Sequence, residues 1–257
     1  MEKRFNQKSI PPKPADIQTM FNAIAPTYDL LNHLLSFRLD IRWRRKAVRL
    51  IAEKRGGTIL DIATGSGDFS LEVLKLQPRH IVAIDFAQKM LKVFQQKLKG
   101  YNDADLINLV SCDALCLPFR GETFDATLVA FGIRNFTDRF AALQELLRVL
   151  KPNGSSVILE LSKPKAPIIS QLYTLYSHIG LPLLGKIISR HNSAYRYLTE
   201  SIVAFPQEQE FLALMKDAGF ANVSAHSLTF GAATIYVGTR GKGEGDRSQV
   251  IGHNLSS

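Results

Sequence analysis

The chain is 257 residues long and 46% apolar, with a net charge of +9 and a pI near 9.6. It can bury one full core with room for a cap or lid, and its two cysteines, Cys112 and Cys116, exclude a disulfide framework and fit a reducing compartment. The charge leaves two partner classes open, nucleic acid and an anionic membrane surface, because both attract lysine and arginine.

Residues 1–16, with Pro11, Pro12 and Pro14, read as a flexible leader without the apolar core of a signal peptide, so a cytoplasmic protein is expected. Ile17, Met20, Phe21, Ile24, Tyr28 and Leu31 then recur at helical spacing, with Pro26 as a break, and 17–56 reads as a helical cap. Within it Arg38, Arg42, Arg44, Arg45, Lys46 and Arg49 flank Trp43, which suits an interfacial helix at least as well as one in a nucleic-acid groove.

Beyond the cap, short apolar strands at 58–63, 80–85, 106–111, 124–131 and 155–161 alternate with amphipathic helices at 68–76, 87–99 and 137–150. Pro152-Asn153-Gly154 reads as a turn before the fifth of these strands. A helix at 207–218 leads to strands 222–229 and 232–239, joined tightly near Phe230-Gly231. The pattern predicts an α/β, Rossmann-like fold: a seven-stranded, mostly parallel sheet with an antiparallel C-terminal hairpin, helices on both faces and an N-terminal helical cap, forming one domain over 17–240. The stretch from Ala166 to Gly185 carries no Asp, Glu, Lys or Arg, but Ser170, Gln171, His178 and Pro182 argue against a membrane span, so 163–200 reads as a cap or substrate insert. The tail at 241–257 reads as disordered.

The first strand runs into Asp61-Ile-Ala-Thr-Gly65-Ser66-Gly67-Asp68, a glycine turn that lets backbone approach a ligand closely. A dinucleotide fingerprint would continue to a third Gly or Ala where Ser70 stands, and Asp68 at the helix start would repel a pyrophosphate. A cationic nucleoside without phosphate, S-adenosylmethionine, fits better, with Asp61 accepting from its ammonium; the alternative at Asp61 and Asp68 is helix capping. Asp85 ends the second strand, where an acid accepts ribose hydroxyls, and Asp113 leaves the third, where it would meet the adenine amine beside Leu115 and Phe119.

With these residues in view, the sequence resembles the Rossmann-like S-adenosylmethionine-dependent methyltransferases, and more narrowly the ubiquinone/menaquinone biosynthesis C-methyltransferase family, across roughly 18 to 240. One signature looks like Tyr28-Asp29-Leu-Leu-Asn32-His-Leu-Leu-Ser36 running on to Trp43; another looks like Arg148-Val-Leu-Lys151-Pro152-Asn153-Gly154 through Glu160-Leu-Ser162; a third is Phe131-Gly-Ile-Arg-Asn135. Asp40 stands where the family suggests a histidine, and Asn153 replaces a common glycine. The resemblance implies cofactor contacts at Ser66, Asp85, Asp113 and Ala114, and Tyr28, Gly65 and Gly67 are expected to join them. It implies C-methylation of a prenylated hydroquinone, demethylmenaquinol ahead of the ubiquinone-pathway benzoquinol; the cost of exposing a long isoprenoid tail to water then predicts an enzyme peripheral to the cytoplasmic face of the membrane, with a homodimer or a biosynthetic assembly left open.

FGIRN then acquires a role. A phenol is only about one part in a thousand ionised at neutral pH, and an arginine beside it lowers its pKa by about 1–3 units. Arg134 is the expected stabiliser of the phenolate and Asn135 a hydrogen-bond partner that fixes the ring; the alternative for Arg134 is a structural pair with Asp138 or Glu160. Tyr28, Asp29, Tyr195 and Tyr197 are candidate proton acceptors, and the histidines show no metal-ligand spacing, so no metal is expected. A nucleic-acid methyltransferase would show an Asn/Asp-Pro-Pro-aromatic or Pro-Cys stretch after the fourth strand. The remaining alternatives are a nucleotide-binding oxidoreductase, disfavoured by Asp68 and Ser70, and non-enzymatic binding in an assembly.

Overall fold

The computed structural model describes residues 14–163 and 192–242. The expected cap over Ala166–Gly185, most of the leader and the tail beyond 242 lie outside the described residues. Helix α1 (Pro14–Ile24) begins inside the expected leader, with proline among its first residues, where a missing N–H costs nothing. It is followed by α2 (Tyr28–Leu35) and α3 (Leu39–Arg49), which complete the cap. The sheet then forms from β1 (Thr58–Ile62), β2 (His80–Asp85), β3 (Ile107–Ser111), β4 (Phe124–Ala130) and β5 (Leu150–Leu161), with α4 (Asp68–Val73), α5 (Gln88–Leu98) and α6 (Arg139–Val149) among them. The last elements are α7 (Asn192–Ala204), α8 (Glu208–Asp217), β6 (Ala221–Leu228) and β7 (Ala233–Thr239).

The seven strands lie in the order β3-β2-β1-β4-β5-β7-β6, parallel from β3 to β5, with β7 antiparallel to both its neighbours. The expected fold class is therefore the observed one. Strand alternation divides the core into two layers. Ile59, Ile81, Ala126, Leu128 and Val157 pack on one face against Trp43, Phe69 and Phe94, while Leu60, Ile62, Val129 and Ile158 pack on the other against Leu143, Leu146 and Phe211.

Two local expectations are corrected. Pro152-Asn153-Gly154 does not precede β5 but lies within it: Phe124 pairs with Leu150 and Ala126 with Ser155, so the extra residues form a bulge, with Asn153 at φ 60°. Helix α4 is shorter than expected, closing in a 3-10 turn at Leu74–Leu76. Because β2 lies on one side of β1 and β4 on the other, strand order reverses direction between β1 and β4. Ligands of open α/β sheets bind outside the carboxyl ends of the strands at such a point.

Candidate active site

At that edge β1 and β4 both end abruptly. Ala63 and Phe131, each the first residue past its strand, adopt φ of +54° and +58°, costing about 1–2 kcal/mol apiece. The two turns nearly touch: a Cβ on Gly132 would lie 2.6 Å from Ala63 Cβ, so only glycine fits there. Gly67, at φ +87°, is equally constrained, since a Cβ would sit 2.1 Å from the Phe94 ring. Positive φ at two non-glycine residues has no signature in the sequence, and both turns shape one cavity.

That cavity, about 80 Å³, is lined at its polar side by Gly65, Asp85, Asp113, Ala114 and Asn135, and is closed from the cap by Ile17, Phe21 and Tyr28. Asp85 is buried and its carboxylate accepts from Gly65 N (2.8 Å) and Ala87 N (2.7 Å), which ties β2 to the glycine loop. Burial pushes its pKa up to about 6. Asp113 accepts from Leu115 N at 2.9 Å, so it makes the turn and lines the cavity together.

The remaining loop residues stand behind the wall. Asp61 shares the face of Ile59, toward α4, and its Oδ2 accepts from Thr64 and Ser70 hydroxyls, each at 2.6 Å. Its Oδ1 is buried with no donor among the described residues, and burial pushes the pKa up to about 6. The Ser66 hydroxyl donates to Asp29 of the cap, and Asp29 also pairs with Lys97 at 2.6 Å. Asp68 pairs with the same Lys97 at 2.6 Å, so it sits in an ion-pair network and not on the cavity wall. Asp40, the departure from the family pattern, joins this network: it is buried and bound to His33 Nδ1 (2.9 Å), Ser36 Oγ (2.6 Å) and Arg44 Nη1 (2.5 Å). His33, Asp40 and Asp68 converge in a way that sequence spacing did not reveal, but Arg44 and Lys97 already supply the positive charge.

A second cavity, about 260 Å³, adjoins the first, sharing Phe21, Tyr28 and Phe131 with it. Its walls are mostly apolar, from Met20, Ile24, Leu31, Leu39, Trp43 and Ile202 among others, with Arg134 and Tyr197 among the polar exceptions. Trp43 is held by an Nε1 donation to Thr229 Oγ1 at 2.9 Å. FGIRN thus straddles both spaces, with Asn135 on the smaller cavity and Arg134 on the larger.

Arg134 is buried, and the alternative read from its sequence context is present: Nη1 pairs with Glu160 Oε1 at 2.7 Å and also donates to Phe131 O, while Nε donates to Ser201 Oγ at 3.3 Å. Burial disfavours its charge, yet Glu160, with Tyr28 and Tyr197, holds its pKa above the ordinary value. Asp138 is not its partner but caps α6, accepting from Ala141 N at 2.9 Å. Tyr197 donates to Asn135 Oδ1 at 3.0 Å. Burial raises the pKa of Tyr28 and Tyr197, two of the candidate proton acceptors, and so favours their protonated forms. The side chain of Tyr195 lies outside the described residues. Sequence reasoning offered Glu160 as one of two partners for Arg134, but missed Ser201 as the second arm of the clamp, and Phe21, Phe86 and Met90 as cavity walls.

Among the described residues, the charged ones lining the smaller cavity are two acids, Asp85 and Asp113. An unmet carboxylate oxygen behind the loop and an acidic lining fit a positively charged, phosphate-free nucleoside and oppose a pyrophosphate. This sheet, with this site at its switch point, defines a class I S-adenosylmethionine-dependent methyltransferase. Solved structures support the fold: an S-adenosylmethionine-dependent methyltransferase from Thermotoga maritima, described as a possible histamine N-methyltransferase, superposes with TM-score 0.59 at 19% identity, covering 86% of this chain and 99% of that one. A putative S-adenosyl-L-methionine-dependent methyltransferase from Methanococcus maripaludis gives TM-score 0.59 at 17% identity, over 93% and 99%.

The ubiE/COQ5 methyltransferase family model matches residues 9–240, and the chain belongs to that family. It is 44% identical over 227 residues to the Geobacter sulfurreducens ubiquinone/menaquinone biosynthesis C-methyltransferase UbiE, covering 88% of each protein. It is 42% identical over 229 residues to the demethylmenaquinone methyltransferase of Bacteroides fragilis, covering 89% of this protein and 94% of that one.

Proposed function

We propose that this protein methylates a ring carbon of a prenylated hydroquinone, converting demethylmenaquinol to menaquinol at the cytoplasmic face of a membrane. The observation that carries this reading is the pair of adjoining cavities: an acid-lined one suited to the cofactor and a larger apolar one suited to a prenylated ring, meeting at Tyr28 and Phe131. The names of the relatives at 42% and 44% identity support it.

Bound S-adenosylmethionine supplies an electrophilic methyl group. In this reading Tyr28, Gly65, Asp85, Asp113 and Ala114 hold it, with Asp61, Ser66 and Gly67 shaping the loop from behind. The protein's task toward the acceptor is to raise electron density at the ring carbon. Arg134 stabilises the ionised ring hydroxyl, and because Glu160 already neutralises part of its charge, its effect lies toward the lower end of about 1–3 pKa units. Glu160 and Ser201 keep the guanidinium from swinging away, while Asn135, braced by Tyr197, orients the ring between the two spaces.

Each five-carbon isoprene unit costs about 4 kcal/mol to expose to water, so the substrate stays in a bilayer and the enzyme must meet it there. No helix among the described residues is long and apolar enough to cross a membrane. The test is methyl transfer from labelled S-adenosylmethionine, in detergent, to reduced short-tail naphthoquinol and benzoquinol acceptors. Labelled naphthoquinol is the expected product; transfer to benzoquinol alone moves the enzyme to the ubiquinone pathway, and transfer to neither removes the quinol assignment.

A further inference from the structure

Helix α3 presents a row of cations on its exposed side. Arg42, Lys46 and Arg49 follow at i, i+4 and i+7 and are exposed, while Trp43, Arg44, Ala47 and Val48 are buried against the core. Arg38, just before the helix, is exposed as well. Arg45, also exposed, has Glu72 at 3.7 Å, but no carboxylate among the described residues pairs with Arg38, Arg42, Lys46 or Arg49. Cations left without carboxylates on one helix face can attract an anionic partner.

Helix α2, the turn that leads into α3 and the β6–β7 turn expose apolar side chains. Leu30 and Leu34, one turn apart on α2, are 59% and 41% exposed, and Phe37 in the turn between α2 and α3 is 74% exposed. Phe230, at the tip of the β6–β7 turn, is 76% exposed, and its neighbour Thr229 is bonded to Trp43 of α3. Ser36, Phe37 and Leu39 of the same turn line the larger cavity. The surface is thus basic along α3 and apolar on α2 and in the turn that joins them, and that turn lines the space assigned to the prenylated ring.

We propose that α2, the turn after it and the exposed face of α3 dock on an anionic phospholipid bilayer, with Arg38, Arg42, Lys46 and Arg49 on the headgroups and Leu30, Leu34 and Phe230 at the edge of the acyl layer. Aliphatic Leu30 and Leu34 beside the cations favour lipid over nucleic acid, where aromatic platforms and phosphate contacts would suffice. The inference rests on the reading that the substrate resides in a bilayer, and its test has a readout independent of methyl transfer.

The measurement is co-sedimentation of the full-length protein with vesicles of phosphatidylcholine alone or with phosphatidylglycerol. Each cation near an anionic surface contributes about a factor of five, so the variant Arg42→Gln/Lys46→Gln/Arg49→Gln loses about a hundredfold in partitioning onto the anionic vesicles. A control with the same charge loss on α5 and at its C-terminal end, Lys89→Gln/Lys92→Gln/Lys99→Gln, keeps nearly all of it, and Phe230→Ser weakens binding to both vesicle types. Turnover on a short-tail acceptor in detergent is unchanged in the α3 variant, which shows that it remains folded. Equal losses in the two triple variants overturn the proposal, because bulk charge then explains binding. So does loss of single-stranded RNA binding, or of self-association, in the α3 variant without loss of vesicle binding. If the unsubstituted protein methylates neither quinol yet shows the vesicle pattern, the docking surface stands and the substrate reading fails.

Discussion

Arg134 has two duties in this structure, and a double-mutant cycle with Glu160 separates them. Both side chains are buried and joined at 2.7 Å. Removing one partner leaves the other as an uncompensated buried charge, at a cost of about 3–5 kcal/mol, so Arg134→Gln and Glu160→Gln each lower the melting temperature by about 6–20 °C for a protein of this size. The double variant Arg134→Gln/Glu160→Gln has no stranded charge and regains most of that stability, so the coupling energy exceeds the cost of either single variant. Activity follows a different course. If Arg134 stabilises the phenolate, the double variant stays about ten- to a thousandfold below wild type at neutral pH, and raising the pH narrows the gap as the free phenol ionises. The assay is chemical denaturation together with kcat against pH on a short-tail quinol. A double variant that regains activity as fully as stability refutes the catalytic role, and single variants costing under about 1 kcal/mol refute the strength of the clamp.

Asp61 and Asp85 make the ligand-free protein less stable as pH rises. Burial lifts both from about 3.8 in the unfolded state to about 6, so the folded state holds protons that the unfolded state releases, and stability present below pH 4 is lost as pH rises through 6. The ligand-free melting temperature is therefore higher at pH 5 than at pH 7, while cofactor affinity measured by calorimetry is weaker at pH 5; opposite slopes are required, and parallel ones refute the account. Asp61→Asn raises ligand-free stability at pH 7 by about 1–2 kcal/mol and lowers cofactor affinity at least tenfold. Gly67→Ala drives a Cβ into Phe94 from a left-handed backbone and costs about 2–4 kcal/mol in urea unfolding; a loss below 1 would mean the loop yields easily. Asp29→Asn weakens both the Ser66 and Lys97 contacts of the cap and speeds cofactor release about three- to tenfold in stopped flow, with under about 1 kcal/mol lost in stability.

Much of the molecule follows from sequence alone. Apolar strands at short, even spacing fix a parallel sheet because a strand buried on both faces must be apolar on both, and Ile59-Leu60-Asp61-Ile62 reads directly as that. Acids after three successive strands reach one edge for the same topological reason, so Asp85 and Asp113 were legible as cavity residues. What sequence left open depended on distance in space. Asp61 and Asp68 look alike beside a glycine loop, but strand alternation turns Asp61 toward Ser70, and Lys97, 29 residues away, claims Asp68. Whether Arg134 pairs with Asp138 or Glu160 could not be decided from spacing. The end of β4 turns back on β1 through a left-handed Phe131, and that turn carries Arg134 onto Glu160 of the neighbouring strand. Local propensity and periodicity set the elements; the pairing of buried charges, which stabilises only at contact distance, was decided by the packing of those elements together.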